Sequence, residues 1–141
     1  MAQTEIREKK GTGTRRKTLL VVDDQATIRN ILTTVLKMEG YEVLSATHGL
    51  DALQVASGKQ GKIDVLITDL SMPYMGGEEL IQKLTAVRPE TKVICLSAAF
   101  TKVSLEQAVL FLPKPFSIRA VVAMVKGVLD GTLPQKEALS A

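Results

Sequence analysis

The sequence predicts an α/β layer, a parallel sheet with helices packed on both of its faces. Three observations carry this. Five short apolar runs rich in β-branched residues recur along the chain, segments with a helical apolar period separate them, and the connections are short. Strands covered on both faces read as continuous apolar runs, and parallel neighbours need a helical crossover between them.

The first run, Thr18-Leu19-Leu20-Val21-Val22, has no polar alternation and suits a central strand ending at Asp23-Asp24. Ile28, Ile31, Leu32, Val35 and Leu36 then follow the spacing of one helix face, and Gly40 closes that helix. Tyr41 to Ala46 is the second strand, and residues 50–57 form a short helix that ends near Gly58 and Gly61. Ile63 to Thr68 is the third strand, delivering Asp69. After a turn at Gly76-Gly77, the residues Leu80, Ile81, Leu84 and Val87 mark a helix stopped before Pro89. Lys92 to Leu96 is the fourth strand, ending at Ser97, and Leu110 to Leu112 is the fifth. Pro113 removes a ladder donor, which suits an edge strand. Ser117 is the expected N-cap of the last helix, whose apolar face is Ile118, Val121, Val122, Val125 and Leu129, with Gly131 at its end.

A chain of 141 residues is long enough for one domain with a core held by neither staples nor metals. Its apolar content is 45% and its charged content 23%, ordinary for a globular domain. No apolar run is long enough for a membrane span, and the first residues lack the apolar region of a signal peptide. The lone Cys95, inside an apolar run, reads as a buried small hydrophobe, and a cytoplasmic location is expected. The net charge of +3 is unevenly placed. Residues 1–17 carry six basic and two acidic side chains, a net +4, while the remaining 12 basic and 13 acidic side chains give a net −1. We expect residues 1–17 to be a disordered basic tail or linker and residues 131–141 to be a flexible tail.

In sheets of this kind ligand sites form beyond the carboxyl ends of the strands, where strand order switches. The polar residues obey that rule. Asp23 and Asp24 follow the first strand, Asp69 the third, Ser97 ends the fourth, and Lys114 follows the fifth. Three carboxylates at close range repel one another, so such a rim calls for a cation or a retained proton. Lys114 supplies one positive charge, and an all-oxygen donor set suits Mg²⁺ or Mn²⁺. Between those cations Asp69 is placed to act as a nucleophile toward a phosphoryl group. Taken alone, Asp23-Asp24 reads as a helix N-cap pair, and His48 reads as an exposed loop residue. Met72 and Met75 read as packing.

Four motifs together resemble the receiver domain of response regulators (CheY-like) in two-component phosphorelay signalling. They are Asp23-Asp24 after an apolar strand, Asp69-Leu70-Ser71-Met72-Pro73-Tyr74-Met75-Gly76-Gly77, Ser97-Ala98, and Phe111-Leu112-Pro113-Lys114-Pro115-Phe116, all in the family's order over residues 18–130. The resemblance implies a flavodoxin-like doubly wound sheet of order 2-1-3-4-5. It implies that Asp69 accepts phosphate from a sensor histidine kinase or a histidine phosphotransfer protein. Asp24 and Asp69 are then Mg²⁺ ligands, with Asp23 acting through water and Ser71 through its backbone carbonyl. Ser97 is implied to bond the phosphoryl group, Phe111 to turn inward as the switch aromatic, and Lys114 to pair with the phosphate across a cis Lys114–Pro115 bond.

The span from Ser97 to Lys114 is shorter than the family's pattern, so a fourth helix there is expected to be short or irregular, with Ser104-Leu105-Glu106-Gln107 as its capping box. Ten residues follow Gly131, so no output or DNA-binding domain is expected, and a monomer or weak dimer is. Stand-alone regulator and C-terminal receiver of a hybrid sensor kinase both fit. The competing readings are a receiver-like partner-binding module not controlled by phosphorylation, an aspartyl-nucleophile phosphatase of the haloacid-dehalogenase type, and a flavodoxin-like FMN binder. The phosphatase needs Asp-x-Asp after the first strand, where this chain has adjacent aspartates. The FMN binder needs a hydroxyl-rich phosphate loop at that place.

Overall fold

Thr18–Val22 forms β1, buried at every residue, as a continuous apolar run requires when both faces are covered. In chain order the elements are β1, α1 (Ala26–Met38), β2 (Glu42–Ala46), α2 (Gly49–Ser57), β3 (Val65–Asp69), α3 (Gly77–Val87), β4 (Lys92–Ser97), β5 (Val109–Pro113) and α4 (Ile118–Asp130). The computed structural model describes residues 15–97 and 109–132, and the side chains of Ser97 and Val109 are not among what it describes. The expected short fourth helix and its capping box, Ala98, and most of both tails therefore lie outside the described residues.

All four strand pairings are parallel, and the order is β2-β1-β3-β4-β5, as the resemblance implied. The chain goes from β1 to one side for β2, then crosses to the other side for β3, so the order switches between β1 and β3. Pro113 closes β5 at the sheet edge, where a missing N–H costs no interior ladder bond.

Alternation along the strands splits the core in two. Leu19, Val21, Ile67 and Ile94 face α1 and α4, where they meet Leu36 and Val125. Leu20, Val22, Leu66 and Cys95 face α2 and α3, where they meet Ala52 and Leu80. Burial of Cys95 pushes its thiol up to about 12, so it behaves as the small hydrophobe expected. Among the described residues no helix is long and apolar enough to cross a membrane.

Helix ends largely follow their local chemistry. Ser117 Oγ accepts from the Ala120 N–H at 3.0 Å, and Gly131 ends α4 in the left-handed region at φ 75°. α1 differs from one sequence reading. Its N-cap is Gln25 and makes no side-chain cap bond, so Asp23-Asp24 is not an N-cap pair. His48 also departs from the exposed loop residue expected of it. It is half-buried and its Nδ1 accepts from the Asp51 N–H at 3.2 Å, capping α2. β3 begins two residues later than Ile63 and extends through Asp69, which is paired with Leu96 of β4.

Candidate functional site

Register alone brings two carboxylates together. Val22 is paired with Thr68, so the next residues, Asp23 and Asp69, leave neighbouring strands side by side at the switch in strand order. One strand over, Ser97 is paired with Pro113, and Lys114 is the next residue after that pair. The loops then aim the side chains.

Asp23 is fully buried. Its Oδ1 accepts from the Gln25 N–H at 2.9 Å, its N–H donates to Ala46 O at 3.3 Å, and its carbonyl accepts from Arg29 Nη1 at 2.8 Å. Its Oδ2 has no hydrogen-bond partner. The nearest cation is Lys114 Nζ at 3.6 Å, an ion pair longer than a hydrogen bond. Burial pushes the Asp23 carboxyl above the ordinary value of 3.8, against the pull of the Gln25 N–H and Lys114, and the nearby Asp69 and Asp24 charges add to the rise.

Asp69 is 6% exposed. Its Oδ2 accepts from Lys114 Nζ at 3.0 Å and its Oδ1 from the Ser71 N–H at 3.2 Å. Burial alone would lower the Lys114 pKa, but the bond to Asp69 and the charges of Asp23 and Asp69 outweigh it, so the ammonium is held above its usual 10.5. The Lys114–Pro115 bond is cis. Asp24 is exposed, and its carboxylate completes a triad with Asp23 and Asp69 in which one oxygen from each lies within 4.8 Å of the others.

The loop after Asp69 is pressed against its surroundings by small residues. The Gly77 N–H donates to Leu70 O at 3.0 Å, and a Cβ on Gly77 would collide with Asp69 O and Leu70 Cα. Met75 is buried against Gly49, where a Cβ would come within 2.7 Å of its side chain. Tyr74, at φ 70°, sets its ring edge-on to His48 with centroids 5.0 Å apart. Met72 and Met75 thus pack, as expected.

The donor set fits a hard divalent cation. Three carboxylates converge with one ammonium, which leaves an excess of negative charge, and a buried Asp23 oxygen has no bonded proton to satisfy it. Of the remaining candidates, Ser71 is exposed and gives Asp69 its backbone N–H. Ser97 ends β4 on the same rim, and its side chain is outside what is described. Phe111 is half-buried on β5 and packs on the α2–α3 side of the core. Sequence reasoning did not find Arg29 or the close approach at Gly77. Their signals were a cation in the first turn of a helix, which the helix dipole disfavours, and a Gly-Gly pair that an ordinary turn explains equally well.

The family model of the response regulator receiver domain matches residues 19–126. The DNA-binding transcriptional regulator NtrC of Azospirillum brasilense is 33% identical over 122 residues, which is 83% of this chain and 25% of NtrC. The crystal structure of the receiver domain from hybrid histidine kinase CckA is similar at a TM-score of 0.71 and 35% identity, covering 79% of this chain and 98% of that one. The response regulator TrrA of Thermotoga maritima, in complex with Mg²⁺-BeF, is similar at 0.68 and 30% identity over 79% of this chain and 98% of that one. The chain spans 25% of NtrC, 12% of the sensor kinase CckA of Brucella abortus and 55% of the response regulator MprA of Mycobacterium avium.

Proposed function

Because the chain belongs to the response regulator receiver domain family, whose role is phosphoacceptor signalling in two-component systems, we propose that Asp69 is the phosphoacceptor and a phosphohistidine the donor. The observation that carries this is the Asp69 carboxylate held between Lys114, at 3.0 Å, and the triad with Asp23 and Asp24. One Asp69 oxygen bonds to phosphorus as the histidine N–P bond breaks, and the electron pair of that bond returns to the imidazole. The product is an acyl phosphate on Asp69. Lys114 faces the charge that the phosphoryl oxygens bring, and the Ser71 N–H steadies the carboxylate.

Asp24 and Asp69, with Asp23 through water and the Ser71 carbonyl, are the residues that would hold Mg²⁺, or Mn²⁺ in its place. The metal's contribution is to neutralise phosphoryl oxygens. The likeness to TrrA in complex with Mg²⁺-BeF supports that identity. Ser97 is the proposed hydroxyl partner of the phosphoryl group and Phe111 the aromatic that responds to it. The receiver spans residues 18–130, works in the cytoplasm, and takes its phosphate from a sensor histidine kinase or a histidine phosphotransfer protein. As a domain it is a phosphoacceptor with self-catalysed transfer, not an enzyme turning over a separate substrate.

The test is incubation with Mg²⁺ and acetyl phosphate followed by intact mass. An acid-stable, base-labile phosphoryl adduct is expected on the wild type and none on Asp69→Asn. A wild type that stays unmodified, or an undiminished adduct on the variant, overturns the assignment.

A further inference from the structure

Arg29 has an unusual position. It is the fourth residue of α1, and a cation in the first turn opposes the helix dipole. Among the described residues it has no carboxylate within 4 Å, whereas Arg15 pairs with Asp64 at 2.8 Å. Instead its side chain turns back along the axis, and Nη1 donates to the Asp23 carbonyl at 2.8 Å.

That carbonyl is where the β1–α1 loop begins, and four bonds fix the loop. The Asp23 N–H donates to Ala46 O at 3.3 Å, the Gln25 N–H donates to Asp23 Oδ1 at 2.9 Å, and Arg29 holds the Asp23 carbonyl, while the Arg29 backbone N–H donates to Gln25 O at 3.0 Å. Asp24 sits between Asp23 and Gln25. Its exposed carboxylate makes no hydrogen bond to a described residue, yet it closes the triad to within 4.8 Å. Its place is therefore set by its backbone neighbours alone.

We propose that Arg29 is a positioning residue for the metal site, fixing the peptide plane after Asp23 and through it the place of the Asp24 carboxylate. This rests on the reading of the triad as a Mg²⁺ site. The two effects open to Arg29 have opposite signs. A guanidinium near a cation site repels the cation, so charge alone would make its removal tighten Mg²⁺ binding. A guanidinium that holds the loop makes its removal weaken binding.

The test titrates the full chain with MgCl₂ at constant ionic strength, by calorimetry and by the Gln25 amide shift. The variant is Arg29→Met, which keeps the aliphatic stem and removes donor and charge. Loss of one such bond predicts about fivefold weaker Mg²⁺ binding. The Mg²⁺ concentration for half-maximal labelling by acetyl phosphate rises by the same factor, while the rate at saturating Mg²⁺ holds. Unchanged or tighter binding overturns the proposal. If Arg29→Met does not fold, Arg29→Gln, whose amide stops short of the carbonyl, is read by the same criteria. A wild type that binds no Mg²⁺ overturns the functional reading and this inference together, whereas equal binding by wild type and variant overturns this inference alone.

Discussion

Lys114 Nζ lies 3.0 Å from Asp69 Oδ2 although the two residues are 45 positions apart in the chain. The contact reaches from the end of β3 across β4 to the end of β5, and among the described residues Lys114 is the one ammonium that pairs with the acidic rim, at Asp69 and at Asp23.

Removing that ammonium is expected to do two separable things. Lys114→Met should slow labelling of Asp69 by acetyl phosphate about a hundredfold at saturating Mg²⁺, since one charge facing the incoming phosphoryl group is lost. It should also lower metal-free stability by ~1–3 kcal/mol, because two largely buried carboxylates lose their partner. Labelling kinetics and denaturant melts check the two effects independently.

Asp23 is expected to be a residue whose replacement stabilises the empty protein. Its Oδ2 is buried and unbonded, and burial already favours its neutral form. Asp23→Asn should raise metal-free stability by ~1 kcal/mol and abolish the further stabilisation that Mg²⁺ gives the wild type. Thermal melts with and without Mg²⁺ read both. Lower metal-free stability in the variant would contradict this account.

Gly77→Ala should be costly for a steric reason. The new methyl meets backbone atoms of Asp69 and Leu70, which cannot swing aside as a side-chain tip can. A loss of ~1–3 kcal/mol is expected together with slower labelling of Asp69. A shift of the Ser71 amide resonance would report the displaced loop.

Asp64 makes a pH-dependent contribution far from the site, at the opposite end of β3. Burial raises its pKa, but the Thr18 N–H and Arg15 outweigh this and hold it below the ordinary 3.8. A carboxylate with a depressed folded-state pKa adds stability that is present above about 3.8 and lost as the pH falls below it. Asp64→Asn should therefore cost about 1 kcal/mol at neutral pH, with the Arg15 share small because that side chain is 43% exposed. The difference from wild type should vanish in acid, while Mg²⁺ affinity stays the same.

Much of this was legible in the chain. The run from Leu19 to Val22 shows β-branched, unbroken apolarity because both faces of β1 are covered, and Ser117 and Gly131 mark the ends of α4 by local chemistry that needs no tertiary partner. Asp23, Asp24, Asp69 and Lys114 were identifiable because each stands where an apolar strand stops. The role of His48 was not legible, since a histidine before a helix caps it only if its ring turns inward, and the packing of Tyr74 and Met75 accompanies that turn.

The sequence by itself determined which elements form and which polar residues they end in, because strand and helix patterns and caps are set by near neighbours. Only the tertiary structure decided that Asp23 keeps one oxygen unsatisfied, that Lys114 reaches Asp69 more closely than Asp23, and that Arg29 turns back to the Asp23 carbonyl. Those facts depend on strand register and on how the loops pack, and interactions between residues distant in the chain fix both.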